Sequence, residues 1–176
     1  MILIYTGNGK GKTSACVGQA VRALGQGFEV FFGQFMKSDC GAGEQRLLAR
    51  LLGDKFCCCG KGFYRGRAEE FPIHRAAVKE TLVWAREGLN APHTPERPAG
   101  RMLIMDEALY ALNNGLLQED ELRGLISLCR DKNTHLVLSG RGLPDWLKNE
   151  ADLVSEIVEI KHPMQAGCKA SPGIEF

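Results

Sequence analysis

A glycine-rich segment near the N-terminus limits the folds that this chain can adopt: Thr6-Gly7-Asn8-Gly9-Lys10-Gly11-Lys12-Thr13-Ser14. It directly follows the apolar run 2–5, and an amphipathic stretch comes after it. A strand, a turn ending in Gly-Lys-Thr and a helix form a phosphate-binding loop (P-loop). Its backbone N–H groups point at an anion, and the helix N-terminus adds partial positive charge. The alternative is a flexible turn that binds nothing.

The loop predicts a nucleoside triphosphate as ligand. We expect Lys12 to reach the outer phosphates and the Thr13 hydroxyl to face a Mg²⁺ ion. The usual spacing is Gly, four residues, then Gly-Lys-Ser/Thr, which would place the first glycine at Thr6, but here it lies at Gly7. This shift suggests an unusual way of holding the nucleotide. The predicted loop contacts are Gly7, Asn8, Gly9, Lys10, Gly11, Lys12, Thr13 and Ser14.

Strand-like and helix-like segments alternate along the chain. Strands are predicted at 1–5, 28–35, 55–59, 101–107, 134–139 and 153–160, and helices at 12–25, 44–52, 69–89, 108–113, 119–131 and 144–149. Residues 91–100 read as a proline-containing loop, and the tail 161–176 has no periodicity. The alternation predicts a three-layer α/β fold with a mostly parallel sheet. A chain of 176 residues suits one domain, 1–176.

Composition excludes some classes of function. The formal net charge is +1, which gives no electrostatic reason to expect nucleic-acid or membrane binding. No window approaches the ~18–20 apolar residues of a membrane span. Met1 leads directly into a strand without the features of an export signal, so we expect the protein in the cytoplasm.

The chain has seven cysteines, and this odd number in a chain without an export signal predicts reduced thiols. Cys57, Cys58 and Cys59 are consecutive, whereas metal sites usually space their cysteines by two or more residues. In a strand, Cys58 would point away from its two neighbours. We interpret the three as small buried residues of a strand, with a metal or redox site as the alternative. His74, His93, His135 and His162 lack metal-ligand spacing and are expected to be structural or exposed.

Two carboxylates, Asp106 and Glu107, end a buried strand as in the second acidic motif of nucleotide triphosphatases. One can hold Mg²⁺ directly or through water while the other polarises a reactant. The alternative is a pair of helix N-cap acids.

In a parallel sheet, ligands bind outside the carboxyl ends of the strands. Besides the loop and the two acids, we expect Gln34, Lys37 and Arg141 at that edge. Arg141 could hold phosphate oxygens bidentately or form a surface salt bridge. Gln34 and Lys37 contact the nucleotide or are solvated loop residues.

Phe63 and Tyr64 lie in the glycine-rich loop 60–66. Exposed aromatic rings beside a nucleotide site suggest a flat, apolar second substrate. The alternative is that the rings anchor the loop to the core.

These motifs resemble the P-loop type of ATP:corrinoid adenosyltransferase, and the resemblance runs nearly end to end. It rests on the segments 5–14, 34–37, 43–44, 62–63, 105–107, 139–141, 151–154, 161–163 and 173–176. The short loop Gly-Asn-Gly-Lys-Gly-Lys-Thr, together with a closing Gly-Ile-Glu, is more specific than a general P-loop.

The resemblance implies a RecA-like fold, often as a homodimer, and a defined reaction. Co(I) of a reduced corrinoid attacks C5′ of ATP and displaces inorganic triphosphate; an electron-donating flavoprotein reductase is the implied partner. The family holds ATP reversed along the loop, which agrees with the shifted glycine. Because Co(I) is a strong nucleophile, the protein only has to position the reactants and stabilise the departing triphosphate.

The resemblance also implies roles for residues. Lys12 and Arg141 would supply positive charge, and Thr13 with Glu107 the Mg²⁺ environment, which makes these four the predicted catalytic residues; Asp106 joins the predicted metal site. Phe63 would belong to the loop that displaces the lower axial ligand of the corrinoid. The predicted corrinoid-binding residues are Phe63, Tyr64 and Arg65.

Three features differ from the family pattern. Arg65 stands where members often carry tryptophan, and Ser139 stands where threonine is common. Longer members have an N-terminal helical segment that covers the corrinoid, ahead of the first strand. The acceptor implied is cobalamin, cobinamide or an earlier corrinoid.

Two other functions fit the bare motif. An ordinary P-loop ATPase or phosphotransferase would release orthophosphate or a phosphorylated product, and would favour the normal glycine spacing. A nucleotide-binding regulator or carrier would bind without turnover, and would gain support from a basic patch or an added domain.

Overall fold

The computed structural model describes residues 1–38, 41–92 and 99–175. Most of the predicted loop 91–100, with His93, lies outside the described residues, as do Cys40 and the closing Phe176.

Six strands form one sheet: β1 (Ile2–Thr6), β2 (Glu29–Gln34), β3 (Phe56–Cys57), β4 (Arg101–Asp106), β5 (Thr134–Ser139) and β6 (Leu153–Glu156). Their order is β3-β2-β4-β5-β1-β6, and each neighbouring pair is parallel. The prediction of a mostly parallel sheet is therefore confirmed.

The helices are α1 (Lys12–Gly25), α2 (Gly43–Leu52), α3 (Phe71–Asn90), α4 (Ala108–Asn113), α5 (Glu119–Asp131) and α6 (Asp145–Glu150). Short 3-10 turns cover Gly53–Lys55 and Pro163–Ala166. None of the helices within the described ranges is long and apolar enough to cross a membrane.

Apolar clusters cover both faces of the sheet, which gives three layers. Along β4, Leu103 and Met105 join a cluster with α3, α4 and α5, whereas Met102 and Ile104 join a cluster with α1 and α2. Successive residues of a strand point to opposite faces. A strand buried on both faces is therefore apolar along its middle. This is so for Val30–Phe32 of β2 and Met102–Met105 of β4, and the polar residues of these strands lie at their ends.

The prediction that Cys57, Cys58 and Cys59 are buried residues of a strand is confirmed for Cys57 and wrong for the other two. Cys57 is buried in β3, but the strand ends there, and Cys58 and Cys59 follow it half-buried. The sulfur atoms of Cys57 and Cys59 lie 2.6 Å apart, whereas Cys58 Sγ accepts a hydrogen bond from Gln45 instead. Cys16, Cys57, Cys59, Cys129 and Cys168 are free thiols.

Candidate active site

The P-loop connects β1 to α1, and it is held against the segment that follows β6. Gly9 N–H donates to the Ile157 carbonyl at 2.8 Å. A Cβ atom would lie 2.4 Å from that oxygen if built on Gly7, whose φ is +103°, and 2.8 Å from it if built on Gly9. Both distances are too short for a side chain. The close approach of the Ile157 backbone thus explains why glycine stands at position 7, and this explanation does not depend on a bound nucleotide.

Lys12 opens α1 and lies buried beneath the loop. Its ammonium group donates to the carbonyls of Gly7 and Gly9, each at 2.8 Å. Burial lowers the pKa of Lys12, while the nearby carboxylate of Glu107 acts in the opposite direction. The cation is therefore held at the centre of the loop, where phosphates are expected.

Asp106 is fully buried and accepts hydrogen bonds from three side chains. Ser139 Oγ donates to Oδ1 at 2.6 Å, and Thr13 Oγ1 and Gln34 Nε2 donate to Oδ2 at 3.0 and 3.1 Å. Because the Thr13 hydrogen points to Asp106, the lone pairs of its oxygen are available to a cation. In this arrangement the carboxylate orients Thr13. The predicted role of Asp106 at a Mg²⁺ ion, directly or through water, stays a prediction.

Gln34 is also fully buried, and it lies outside the cavity wall. The direct nucleotide contact predicted for it does not fit this position. Its amide group instead holds the Asp106 carboxylate by a hydrogen bond.

Glu107 adopts a left-handed backbone conformation, with φ of 62°, and its N–H donates to Ser139 Oγ at 3.0 Å. It occupies the N-cap position of α4 but its side chain makes no capping hydrogen bond, so the capping interpretation receives no support. The carboxylate lines the cavity instead. Burial raises the pKa of Glu107, and Asp106 adds to this rise, while Lys12 and other cations oppose it.

A cavity of about 670 Å³ surrounds the loop. Predicted residues that line it are Asn8, Gly9, Lys10, Gly11, Lys12, Thr13, Ser14, Lys37, Glu107 and Arg141. Lys37 Nζ lies 2.5 Å from Glu44 Oε1 and 4.0 Å from Asp106 Oδ2. Arg141 is exposed, with Nη2 3.5 Å from the Asn8 carbonyl. The structure thus brings the predicted cations to one place.

The tail forms a wall of the same cavity that the sequence analysis did not assign. The contributing residues are Glu159, which directly precedes the tail, and His162, Met164, Gly173, Ile174 and Glu175 of the tail itself. Periodicity could not reveal this wall, because most of the tail lacks a regular helix or strand. The available signal was the closing Gly-Ile-Glu motif, which carried part of the family resemblance.

The two aromatic residues of the loop 60–66 have different environments. Phe63 is 56% exposed, with its ring 5.4 Å from that of Tyr110 in an edge contact. Tyr64 is only 8% exposed, packs against Phe71, and its carbonyl accepts a hydrogen bond from Tyr110 Oη at 2.7 Å. The prediction of exposure is confirmed for Phe63 and wrong for Tyr64, whose ring anchors the loop. Arg65 is exposed.

The parallel sheet and the loop between β1 and α1 define a P-loop nucleotide-binding protein. A solved structure, the DNA-packaging ATPase B204 from Sulfolobus Turreted Icosahedral Virus, has a similar fold. The TM-score is 0.50 with 12% sequence identity, over 94% of this chain and 78% of that one. At this identity the similarity concerns the fold alone.

The sequence matches the family described as ATP:corrinoid adenosyltransferase BtuR/CobO/CobP over residues 1–176. A corrinoid adenosyltransferase of Pseudomonas aeruginosa is 32% identical over 177 residues, covering 100% of this chain and 83% of the relative. Corrinoid adenosyltransferase CobA of Salmonella typhimurium is 32% identical, covering 100% and 85%. The chain therefore belongs to the ATP:corrinoid adenosyltransferase family, and it is a transferase of the adenosyl group.

Proposed function

We propose that this chain transfers the 5′-deoxyadenosyl group of ATP to the Co(I) centre of a reduced corrinoid. A cobalt–carbon bond forms as the bond between C5′ and the triphosphate oxygen breaks, and inorganic triphosphate leaves with the electron pair. Family membership supports the reaction class. The main structural support for a triphosphate site is that Lys12, Lys37 and Arg141 all line the cavity at the first turn of α1.

The role of the protein is to hold the triphosphate and stabilise its charge as it departs. Lys12 would exchange its contacts with the loop carbonyls for contacts with phosphate oxygens, and the N–H groups of Gly9 to Ser14 would donate to the same anion. Arg141, whose guanidinium lies beside the Asn8 carbonyl, would add a further cation. Co(I) is itself a strong nucleophile, so no side chain has to act as a base.

The side chains of Thr13 and Glu107 suit a Mg²⁺ ion, since both offer oxygen donors to the cavity. Within the described ranges, no group of three or more His, Cys, Asp and Glu residues could hold a metal, so phosphate oxygens would have to complete the coordination. Bound there, Mg²⁺ would neutralise part of the triphosphate charge. Asp106 contributes by fixing the direction of the Thr13 hydroxyl.

The charge distribution of the cavity supports one direction for bound ATP. Glu159, just before the tail, and Glu175 on the tail would repel a triphosphate, whereas they can accept hydrogen bonds from ribose hydroxyl groups or the adenine amino group. Met164 and Ile174 offer apolar surface beside them. We therefore place the adenosine part against the tail and the phosphates against Lys12.

The loop that carries Phe63 and Arg65 is the proposed contact for the corrinoid. It begins beside the cavity, because Gly60 packs so closely on Lys37 that a Cβ atom would lie 2.5 Å from the Lys37 carbonyl. Phe63 offers exposed aromatic surface to a flat macrocycle. Arg65 places a cation where relatives often have tryptophan, which would change how the lower face of the corrinoid is held.

The remaining elements of the proposal are a homodimer, a flavoprotein reductase as electron donor and a cytoplasmic location. They rest on the family resemblance and on the reduced state expected for the cysteines. Both Co(I) and free thiols require a reducing environment.

An anaerobic assay tests this function. The protein is mixed with Mg-ATP and chemically reduced cob(I)alamin, cob(I)inamide being the second acceptor, and the visible spectrum is followed for a light-sensitive alkylcorrinoid while triphosphate is assayed. Both products in equal amounts are expected. Orthophosphate without alkylcorrinoid would indicate an ordinary ATPase, and nucleotide binding without any product would indicate a regulator or carrier.

A further inference from the structure

We propose that Gln45, a residue of α2 outside the cavity wall, is a positioning residue for the nucleotide site. It acts through Gln34 and Asp106 on the Thr13 hydroxyl. All four residues are joined by hydrogen bonds, and the first three are buried. This inference rests on the proposed Mg-ATP site and adds a residue to its support.

The direction of the Gln45 amide is fixed by the start of α2. Its Oε1 accepts from the N–H groups of Gly41 and Ala42, at 3.1 and 3.2 Å. A Gln or Glu at the third helical position often caps a helix in this way. Because the oxygen is held by two backbone donors, the Nε2 group must point into the protein.

That Nε2 group fixes the next amide. It donates to Gln34 Oε1 at 3.1 Å, so Gln34 turns its own Nε2 toward Asp106 Oδ2, also at 3.1 Å. In the opposite orientation, the Gln34 oxygen would face the carboxylate, and two buried acceptors would repel each other. Gln45 thereby ensures that Asp106 receives a donor and stays in place to accept from Thr13.

Gln45 also touches the segment after β3, since its Nε2 lies 3.0 Å from Cys58 Sγ. Cys58 Sγ in turn donates to the Lys37 carbonyl at 3.2 Å. Gln45 therefore contacts the backbone before α2 and the segment between β3 and the loop 60–66, and it is linked to the backbone of Lys37 through Cys58. Cys58 thus links Gln45 to the backbone of Lys37 by hydrogen bonds, a structural role that needs no metal.

The test is the affinity for ATP measured by calorimetry on the full chain, once with Mg²⁺ and once with a chelator. Gln45→Glu keeps the cap of α2 but has no N–H to donate, provided that it is ionised, for which about pH 8 is suitable. Gln45→Met keeps the length of the side chain without its polar atoms and serves if the first variant melts early. Gln26→Glu, the same change at an exposed position at the end of α1, is the matched control.

We expect Gln45→Glu to weaken ATP binding about tenfold or more in Mg²⁺, the usual effect of losing a residue behind a metal ligand. Binding with the chelator and the behaviour of Gln26→Glu should stay as in the wild type. In a Gln34→Leu background the Gln45 substitution should have no further effect, because the path through Gln34 is already broken.

Three results would overturn the inference. Gln45→Glu could bind Mg-ATP as tightly as the wild type, lose affinity equally with and without Mg²⁺, or keep its full effect in the Gln34→Leu background. A wild-type protein whose ATP affinity does not respond to Mg²⁺ would overturn the proposed metal site itself, which distinguishes that failure from a failure of the Gln45 role alone.

Discussion

Lys12 is the most deeply buried of the cations around the cavity, since Lys37 is half-buried and Arg141 exposed. We expect Lys12→Ala to lower the turnover number at least tenfold, corresponding to about 1.4 kcal/mol or more of lost transition-state stabilisation. The initial rate of alkylcobalamin formation under anaerobic conditions measures this. Lys148→Ala, which removes an exposed lysine of α6, is the control, and an unchanged rate for Lys12→Ala would remove the loop from the mechanism.

The place of the loop residues and of the acids after β4 could be predicted from the sequence, because their position directly after a strand fixes the edge of the sheet at which they lie. The burial and contacts of an individual side chain could not be predicted in this way. Phe63 and Tyr64 are neighbours of similar chemistry, yet only Tyr64 turns into the core. Gln34 and Gln45 also gave no signal for their roles, since an amide that supports a carboxylate looks like any polar residue in a sequence.

The loop and the segment after β6 form one structural unit, and the contact between them can be tested. Gly9→Ala would place a methyl group 2.8 Å from the Ile157 carbonyl, so the loop has to shift. We expect ATP affinity to fall about tenfold or more, as for a displaced anion cradle. Calorimetric titration measures it.

Gly18→Ala is the control, because Gly18 lies in α1 with no atom within 4 Å of an added Cβ. Alanine there should raise the free energy of unfolding by roughly 0.5–1 kcal/mol and leave ATP binding unchanged. Equal ATP affinity for both glycine variants would contradict the proposed fit of the loop.

At the opposite edge of the sheet, an ion pair joins the starts of β2 and β4. Glu29 bonds Arg101 at 2.5 Å and Lys55 at 2.9 Å. Arg101 also donates to the carbonyl of Leu89 at the end of α3, at 3.1 Å. Burial alone would raise the pKa of Glu29, but hydrogen bonds from Lys55 and Arg101 outweigh it and hold the pKa below its ordinary value.

Glu29→Gln should therefore destabilise the protein in a pH-dependent way. A lowered folded-state pKa contributes stability that is fully present above the unfolded pKa and lost as pH falls through the folded one. We expect the loss in free energy of unfolding to be complete at neutral pH and to shrink as the pH falls below about 4.5. Urea denaturation at several pH values measures it, with exposed Glu69→Gln as control; a loss independent of pH would contradict the role of the charge.

The ends of helices and strands were predicted to within a few residues wherever burial, on one face or on both, determines the pattern of apolar residues. The end of β6 was wrong: the apolar residues up to Ile160 suggested a longer strand, but it ends at Glu156. After that point the chain turns to hold the P-loop through Ile157. This tertiary contact overrides the local pattern.

At the scale of the whole molecule, the proposed single domain 1–176 has an experimental consequence. Leu103 is fully buried in the larger apolar cluster, and Leu103→Ala should lower the free energy of unfolding by about 2–5 kcal/mol. One cooperative transition should shift as a unit. Denaturation followed by both fluorescence and circular dichroism checks this, with half-exposed Leu51→Ala of α2 as control; separate transitions for the two signals would contradict a single domain.

The fold class followed from the alternation of elements, and most of the cation cluster followed from the rule on strand ends. The wall formed by the tail could not be predicted in this way, because it depends on how an irregular segment folds back to the cavity around the P-loop. Secondary structure can be predicted from residue types that recur at regular intervals. The irregular tail has no such regular pattern, so its path could not be predicted.

The order of strands also has a consequence for synthesis of the chain. β1 is made first, but its neighbours in the sheet are β5 and β6, which are made last. The strand that leads into the P-loop is therefore synthesised long before β5 and β6, its two neighbours in the sheet. In contrast, β2, β3 and β4 can associate before β5 and β6 have been made. Nascent chains begin to fold from their N-terminal end as they are made, but here the earliest of the six strands is among the last to find its neighbours in the sheet.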